Sequence, residues 1–325
     1  MKKPIIIVPC FRVGEKVKNV IKEVRSRTCE GEYPVIVAYN DCSPDNTLDV
    51  LFGLQKEYGC PEVILSGEKN LGLSGGMKNS FSYCLGEEPE NVEVIEYPGK
   101  GFKGAGPDSY LIAMVGGDAQ QKFWEIFEEA GVVVYAGKTS YGFMERWNIP
   151  GDKGDRHIKM PKERIEKEII INRIARESLR RMGYDTSQID SEIKNRGVGG
   201  GVRDLQTNKT FSGKKLERLY NELSGDKRYA FDLEVAIVAC KEGEPIHWGI
   251  RNDYGEPATL GEGWKQKWGN SVKDKLYVIQ KHSGMKKEDL RKLIWEVSEK
   301  TVDDGLASRE IGELVKEYGR LYFSD

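Results

Sequence analysis

The sequence predicts an α/β fold in which helices flank a mostly parallel central sheet and a helical C-terminal extension follows. Compact apolar runs rich in β-branched residues have the length of buried strands, at 4–9, 34–39, 62–65 and 108–115. Amphipathic stretches of helical periodicity lie between the early runs, at 17–27, 48–58 and 75–85. This alternation is typical of right-handed crossovers, which build a parallel sheet covered by helices.

The strand–helix alternation is interrupted at residues 87–107, where Pro, Gly and charged residues predict an inserted loop. It resumes with the run at 108–115, a helix at 121–130 and a strand at 132–136. We therefore expect residues 1–140 to form the first half of one domain.

The rest of the chain is more polar and more helical. Residues 141–155 are typical of a loop, 161–182 of a long charged helix, and 197–201 of a flexible glycine strip. Further elements are predicted as helices at 213–223 and 232–241 and a strand at 245–248. Residues 141–285 should complete the domain, and residues 286–325 should form a helical tail that packs on the core, contacts a second copy or lies on a membrane face.

The composition indicates a soluble globular protein. Hydrophobic residues make up 38% of the 325 positions and charged residues 31%, with 50 basic and 52 acidic side chains and a formal charge of −2. A chain of this length can bury roughly 75% of its unfolded surface, which is enough for a core without disulfides. The charge balance gives no support for a general nucleic-acid or anionic-membrane surface.

Cysteine usage favours a reducing compartment. The six cysteines form no CxxC pair, and with three histidines in the chain a zinc site is not expected. The apolar run at 4–11 is too short for a secretory signal, and no stretch reaches the ~20 apolar residues of a spanning helix. We expect a cytoplasmic protein with at most peripheral membrane contact.

Four polar or glycine-rich segments follow predicted strands, at the edge where open parallel sheets bind ligands, at 9–15, 40–47, 69–76 and 116–120. The first leads into a helix whose N-terminus can face an anion. In the second, Asp41 is expected to accept a nucleobase N–H, whereas Asp45 is expected to cap the next helix. The plain alternative is that all these polar groups serve turns and caps.

The third and fourth segments have the chemistry of a phosphate and cation site. Glycines at 69–76 permit close approach of the backbone to a ligand, and Lys69 and Asn70 supply donors for phosphate or ribose oxygens. Asp118 and Gln120 have oxygens that can share Mg²⁺ or Mn²⁺ with a diphosphate. The alternative for Asp118 is an N-cap of the helix that begins at 121.

The order of the four segments resembles the nucleotide-binding half of family 2 glycosyltransferases, which adopt the GT-A fold. The matching positions over residues 4–138 are Pro9, Phe11 and Glu15; Asn40, Asp41, Cys42, Ser43, Asp45 and Thr47; Asn70, Gly72 and Gly76; and Asp118 as the second acid of Asp-x-Asp. The resemblance implies that the nucleotide sugar contacts Pro9, Phe11, Glu15, Asp41, Lys69, Asn70, Gly72, Gly117 and Asp118. It also implies Asp118 and Gln120 as the metal ligands.

Residues 200–211 and 229–234 are similar to the acceptor half of the polyprenyl-phosphate hexosyltransferase branch of that family. This similarity implies catalytic roles for Asp232 and Glu234, as the base for a hydroxyl acceptor, and for Asp204, which would orient the donor hexose. It further implies an acceptor-binding set of Arg173, Arg176, Arg203 and Gln206. For Arg173 and Arg176 a solvated basic helix face is the alternative.

The resemblance implies an inverting enzyme that moves a hexose from a UDP- or GDP-sugar to an acceptor such as a polyprenyl phosphate. The sequence departs from the family pattern at Gly116 and Asn40, where acids are usual, and at Lys209 and Thr210, which replace the glycine that usually precedes Phe. Two alternatives stay open: transfer to a soluble saccharide, metabolite or modified nucleic acid, and a non-catalytic protein that only binds the nucleotide sugar. A homodimer is compatible with each of them.

Overall fold

A computed structural model of the chain describes residues 4–26, 32–99, 104–106, 108–113, 139–145, 147–148, 162–190, 192–193, 201–203, 205, 209–250 and 264–324. It divides into two compact units. Unit 1 comprises Met1–Met144, Asn208–Phe231 and Pro245–Gly249, and unit 2 comprises Glu145–Thr207, Asp232–Glu244 and Ile250–Asp325.

The described strands and helices are these, in chain order: β1 (Pro4–Cys10), α1 (Lys16–Arg25), β2 (Val35–Asn40), α2 (Thr47–Tyr58), β3 (Val63–Gly67), α3 (Gly72–Leu85), β4 (Val92–Glu96), β5 (Tyr110–Ala113), β6 (Tyr141–Glu145), β7 (Trp147–Asn148), α4 (Lys162–Arg181), β8 (Glu192–Ile193), β9 (Gly201–Arg203), β10 (Lys209–Ser212), α5 (Leu216–Glu222), α6 (Phe231–Glu242), β11 (Ile246–Ile250), α7 (Trp264–Ser283), α8 (Lys287–Asp303) and α9 (Arg309–Ser324). A short 3₁₀ turn, Gly213–Lys215, precedes α5.

The central sheet of unit 1 has eight strands in the order β11-β6-β10-β5-β1-β2-β3-β4. The pairs β5–β1, β1–β2 and β2–β3 are parallel, whereas β3–β4, β5–β10 and β10–β6 are antiparallel. The sheet is therefore mixed, and its parallel part is the set of four strands that the apolar runs predict. Because β5, β1, β2 and β3 run in the same direction, their carboxyl ends lie at one edge.

The core of unit 1 follows from the periodicity of the sequence. The face of α1 that carries Val17, Val20, Ile21 and Val24 is buried, as its helical spacing predicts. It packs with β-branched residues of β1 and β2 and with the apolar face of α2 in one hydrophobic cluster. Each fully buried Val or Ile contributes about 1.5–3 kcal/mol relative to an exposed position.

Two segments that were expected to be loops contain strands. The stretch expected as an inserted loop at 87–107 contains β4, which adds an antiparallel edge to the sheet. The stretch expected as a loop at 141–155 begins with β6 and β7. These short strands obtain their hydrogen bonds from partners far away in sequence, so local pattern does not identify them.

Unit 2 is mainly helical, with a three-stranded sheet in the order β7-β9-β8. Its helices α4, α7, α8 and α9 pack against one another, and α7 was not expected from the sequence. The expected helical tail is two helices, α8 and α9, with a turn at 304–308. Within the described residues, no helix is long and apolar enough to cross a membrane.

A buried charge cluster joins α4 to α7. The carboxylate of Glu168 accepts hydrogen bonds from Lys275 Nζ at 3.0 Å to each oxygen and pairs with Lys167 Nζ at 2.7 Å. Burial lowers the pKa of Lys167 to about 7, against the opposing effect of Glu168. Burial also raises the pKa of Glu168, but the two lysines outweigh this and leave it well below its usual range. The cluster is thus one carboxylate that compensates two buried cations.

We predict that Glu168→Gln destabilises the protein by about 3–5 kcal/mol, because it removes the buried carboxylate that pairs with Lys167 and Lys275. The free energy of unfolding in urea measures the effect. Glu317→Gln on the exposed face of α9 is the matched control and should change this free energy by less than about 0.5 kcal/mol. Equal effects of the two substitutions would contradict the role assigned to the cluster.

Candidate nucleotide site at the carboxyl edge of the sheet

The first two strand-end segments are held together by side-chain to backbone hydrogen bonds. Thr47 Oγ1, at the start of α2, accepts the backbone N–H groups of Val13 at 3.1 Å and Gly14 at 2.9 Å. Arg12 N donates to Ser43 Oγ at 3.3 Å. The turn after β1 is therefore fixed against the turn after β2.

Asp45 lies one residue before Asn46, the N-cap residue of α2, and its side chain binds the first turn of the helix. Its Oδ1 accepts the backbone N–H of Thr47 at 3.2 Å and the Thr47 hydroxyl at 2.6 Å. This satisfies one of the donors that the first turn of a helix leaves without an intrahelical partner. The same contact also orients the hydroxyl that holds the turn after β1.

Asp41 joins the second segment to the third. Its Oδ1 accepts Leu71 N–H at 2.7 Å and its Oδ2 accepts Gly72 N–H at 2.9 Å, while Asn70 Nδ2 donates to the Asp41 carbonyl at 3.2 Å. The residue is 6% exposed. Burial raises its pKa, and the two backbone hydrogen bonds together with the Arg228 charge act in the opposite direction. The carboxylate is thus anchored at the N-terminus of α3.

This geometry revises the role expected for Asp41. Both carboxylate oxygens already accept N–H groups at the start of α3, although each keeps a further lone pair. Its observed function is to position the third segment against β2. A hydrogen bond from a bound base would come in addition to these contacts.

The glycines of the third segment are explained by packing within the protein. A Cβ on Gly72 would lie 2.6 Å from Arg228 Cβ, and its φ of +72° favours glycine. A Cβ on Gly76 would lie 2.7 Å from the ring of Tyr39 in β2. The expectation that these glycines serve ligand approach is therefore incomplete, because each is required by a neighbouring side chain.

Arg228 is a residue near this edge that the sequence reasoning missed. It lies between α5 and α6, is exposed, and donates from Nη2 to the Asn70 carbonyl at 3.2 Å. Its segment rests on α3, since Lys78 Nζ bonds the Leu223 carbonyl at 3.0 Å. No local motif marks an exposed arginine 158 positions away from its partner, so only the fold brings it to Asn70.

Four further predicted residues belong to the first and third segments. Pro9 is the penultimate residue of β1, and Phe11 is 43% exposed with the Arg12 guanidinium 5.2 Å from its ring centroid. Lys69 is exposed beside Asn70. Glu15 stands at the N-cap position of α1 and pairs with Lys18 at 2.5 Å.

The fourth segment lies outside the described residues. Gly117, Asp118 and Gln120 belong to it. Asp204, which was expected to orient the donor hexose, and Gln206 of the acceptor-binding set also lie outside the described residues. The preceding strand β5 is described, and Pro4–Ile7 of β1 pair with its residues in parallel register. In the part of the chain that the structure describes, no group of three His, Cys, Asp or Glu side chains could hold a metal ion.

The two candidate bases of α6 do not share a site. Asp232 is half-buried in the first turn, whereas Glu234 is fully buried and pairs with His282 Nε2 at 2.8 Å and Lys281 Nζ at 3.2 Å. Residues two apart on a helix point about 200° from each other. The expectation that Glu234 acts as a base on an acceptor is therefore corrected to a structural ion pair between α6 and α7.

Arg173 and Arg176 have partners within unit 2. Arg173 Nη1 bonds Asp304 Oδ2 at 2.7 Å, and Arg176, which is 3% exposed, donates from Nε to the Ile189 carbonyl at 2.7 Å. A solvated basic face is thus the wrong description of Arg176. Arg203 ends β9 opposite Trp147. Acceptor binding by these arginines stays a prediction.

The sequence of residues 5–92 matches the family described as Glycosyl transferase family 2. This range contains β1 to β3 and the first three strand-end segments. None of the curated proteins with which the chain was compared matches it.

Several solved structures are similar to the chain. Glucosyl-3-phosphoglycerate synthase from Mycobacterium tuberculosis with UDP has a TM-score of 0.52 at 10% identity, covering 88% of this chain and 81% of that one. Its complex with Mn²⁺ and UDP-glucose has a TM-score of 0.50 at 10% identity, over 88% and 80% of the two chains. S. aureus TarS has a TM-score of 0.46 at 10% identity and covers 91% of this chain, which spans 42% of the TarS chain.

These comparisons confirm the predicted fold class, which is GT-A with a mixed central sheet and a helical C-terminal region. The family match on the strand-end segments and the fold together support a glycosyltransferase. The comparisons do not show whether the chain belongs to the polyprenyl-phosphate hexosyltransferase branch, and that assignment stays a prediction.

We predict that Gly76→Ala destabilises the protein by about 1–3 kcal/mol, because the added methyl group overlaps the buried Tyr39 ring. Gly53→Ala in α2 is the matched control: open space surrounds that position, so alanine should stabilise the protein by about 0.5–1 kcal/mol. Thermal and urea unfolding of both variants measure the difference. The same sign of change in both variants would refute the packing argument.

Proposed function

We propose that the protein transfers a hexose from a UDP- or GDP-sugar to an acceptor oxygen, with inversion at the anomeric carbon. The observation that carries this proposal is the joining of three strand-end segments at one sheet edge within the range that matches the glycosyltransferase family. Thr47 ties the first to the second, and Asp41 ties the second to the third.

The side chains at this edge suit a nucleoside diphosphate. The exposed ring of Phe11 offers an apolar face for a base, and Asn70 offers an amide for ribose oxygens. Lys69 and Arg228 carry positive charge on either side of Asn70 and can attract diphosphate oxygens. UDP occupies the solved glucosyl-3-phosphoglycerate synthase, a fold-level parallel that supports a nucleotide donor.

A divalent cation, Mg²⁺ or Mn²⁺, forms part of the proposal. Asp118 and Gln120 would hold it, with Gly116 in place of the usual first acid. When bound, the cation would take up negative charge on the leaving diphosphate. Mn²⁺ in a complex of glucosyl-3-phosphoglycerate synthase is the supporting parallel.

The acceptor determines which further residues are needed. A hydroxyl acceptor requires a carboxylate base, for which Asp232 and Asp204 are the proposed residues now that Glu234 is engaged in an ion pair. A phosphate acceptor is already anionic and requires positive side chains instead. We keep polyprenyl phosphate as the acceptor that the resemblance favours and soluble saccharides as the competing class.

A donor screen tests the proposal directly. The full chain is mixed with UDP- and GDP-sugars in the presence of Mn²⁺ or Mg²⁺, and thermal stability and slow hydrolysis of the sugar nucleotide are recorded. We expect one base to raise the melting temperature and to support turnover. Binding without turnover over a broad set of donors and acceptors would support the non-catalytic alternative, and no binding at all would refute the proposal.

The acceptor class is resolved in a second arm of the same screen. Turnover is compared with a polyprenyl phosphate in detergent and with water-soluble saccharides in its absence. Faster transfer to the soluble acceptors would overturn the lipid assignment and leave the donor assignment intact.

We predict that Asp118→Ala lowers turnover by about 100-fold or more, the usual scale for losing one group that stabilises developing charge. The melting temperature without ligand should stay unchanged. Asp108→Asn, an exposed turn residue before β5, is the control and should retain activity. Full activity of the Asp118 variant would rule out its assigned role.

We predict that Arg228→Ala raises the KM for the nucleotide sugar about tenfold, which corresponds to the loss of one charge-assisted hydrogen bond, with a much smaller change in kcat. Arg228→Lys should recover part of the loss because it keeps the charge. Arg218→Ala on the exposed face of α5 serves as the control. A change confined to kcat would argue against donor binding by Arg228.

A further inference from the structure

A cavity of about 210 Å³ in unit 2 lies between helices α4 and α8. The side chains that line it are mostly cationic: Arg173, Arg176, Arg180, Arg181 and Lys300, with Glu177, Glu296 and Val297. Five positive groups therefore face one small space together with two acids. All of them belong to two helices that pack directly against each other.

The inner end of the cavity is rigidly built. Arg176 is 3% exposed, and its Nε is held by the Ile189 carbonyl at 2.7 Å. Arg173 is held by Asp304 at 2.7 Å and by the Thr301 hydroxyl at 3.3 Å. Neither arginine needs to move to present positive charge to the cavity.

At the outer end of the cavity, Arg180 and Arg181 form exposed ion pairs that a bound anion can replace. Arg180 pairs with Glu177 at 2.7 Å and with Asp190 at 2.8 Å, and its side chain is 54% exposed. Arg181 pairs with Glu177 at 3.1 Å and with Glu296 at 2.7 Å, and it is 41% exposed. Exposed ion pairs of this kind contribute only about 0–1 kcal/mol, so an anion that offers better geometry can replace them.

Cations outnumber acids five to two among the side chains that line the cavity. Among the described residues, the lining arginines form ion pairs with the carboxylates of Glu177, Asp190, Glu296 and Asp304. Lys300 is the fifth cation, and it forms no ion pair within the described part of the chain. Asp190 and Asp304 are not lining residues, so the cavity itself is more positive than the network as a whole.

We propose that this cavity is a binding site for a small phosphate-bearing anion. A phosphate monoester carries about 1.5 to 2 negative charges near neutral pH and three acceptor oxygens, which match a site of several guanidinium groups. Arginine favours this ligand because its planar fork donates two parallel hydrogen bonds. The ligand would link α4 to α8, with Lys300 supplied by the C-terminal helical region.

The proposal does not rest on the proposed function. Two of the lining arginines, Arg173 and Arg176, are those that the family resemblance assigns to acceptor binding. The other three cations, Arg180, Arg181 and Lys300, have no such assignment, so a regulator fits the cavity as well as a substrate does. The occupant is defined only by its chemistry, a small molecule with one phosphate group.

The experiment is a titration of the full chain with inorganic phosphate at constant ionic strength, set with chloride. Melting temperature and calorimetric binding are measured for the parent protein and for Arg180→Gln/Lys300→Gln. Both residues are exposed, so the double variant should keep its fold and its melting temperature in chloride. We expect saturable stabilisation of the parent and at least about tenfold weaker phosphate binding in the variant, since charge-assisted hydrogen bonds are lost.

A matched control distinguishes phosphate binding at the cavity from a general effect of positive surface charge. Arg291→Gln removes a positive charge from the exposed face of α8, outside the cavity lining. It should change the phosphate affinity less than twofold on the same calorimetric assay, since surface charges there are screened by salt. Absence of stabilisation by phosphate beyond chloride, or an equal loss in the control, would overturn the proposal, and equal stabilisation by a dicarboxylate such as malonate would overturn its phosphate class.

Discussion

The carboxylate of Asp41 is the contact on which the candidate nucleotide site depends. It stands at the end of β2, is almost fully buried, and accepts the first backbone N–H groups of α3 at 2.7 and 2.9 Å. Hydrogen bonds to a charged acceptor contribute about 1.5–3 kcal/mol each, so these two offset part of the cost of burying the charge, although burial still raises the pKa of Asp41. Together with the hydrogen bond from Asn70 to the Asp41 carbonyl, they position the third segment against β2.

Close packing in unit 1 follows from the same arrangement. With α3 anchored against β2, the Tyr39 ring and Arg228 Cβ occupy the space beside Gly76 and Gly72. The two glycines of the motif are therefore the consequence of a short distance between elements. Arg228 then reaches the Asn70 carbonyl and adds a positive charge to an edge that already exposes Lys69. The residues that fix the packing of α3 thus also lie in the proposed nucleotide site.

Much of unit 1 could be predicted because its strands and helices carry their own pattern. The β-branched runs identify β1, β2, β3 and β5. The helical spacing of Val17, Val20, Ile21 and Val24 identifies the buried face of α1. The short strands β4, β6 and β7 were missed because their pairing partners are distant in sequence. Helix α7 was missed as well, because its sequence contains glycine, many lysines and scattered aromatic residues and therefore shows only a weak apolar stripe.

The sequence by itself determined the order of strand-end motifs, and from it the fold class and the group of enzymes to consider. Only the tertiary structure decided what each charged side chain does. Asp41 binds backbone N–H groups of α3, Glu234 is paired with His282, and Arg176 is buried against Ile189. The physical reason is that the energy of a charge depends on its burial and on its nearest opposite charge, and both are set by residues remote in the chain.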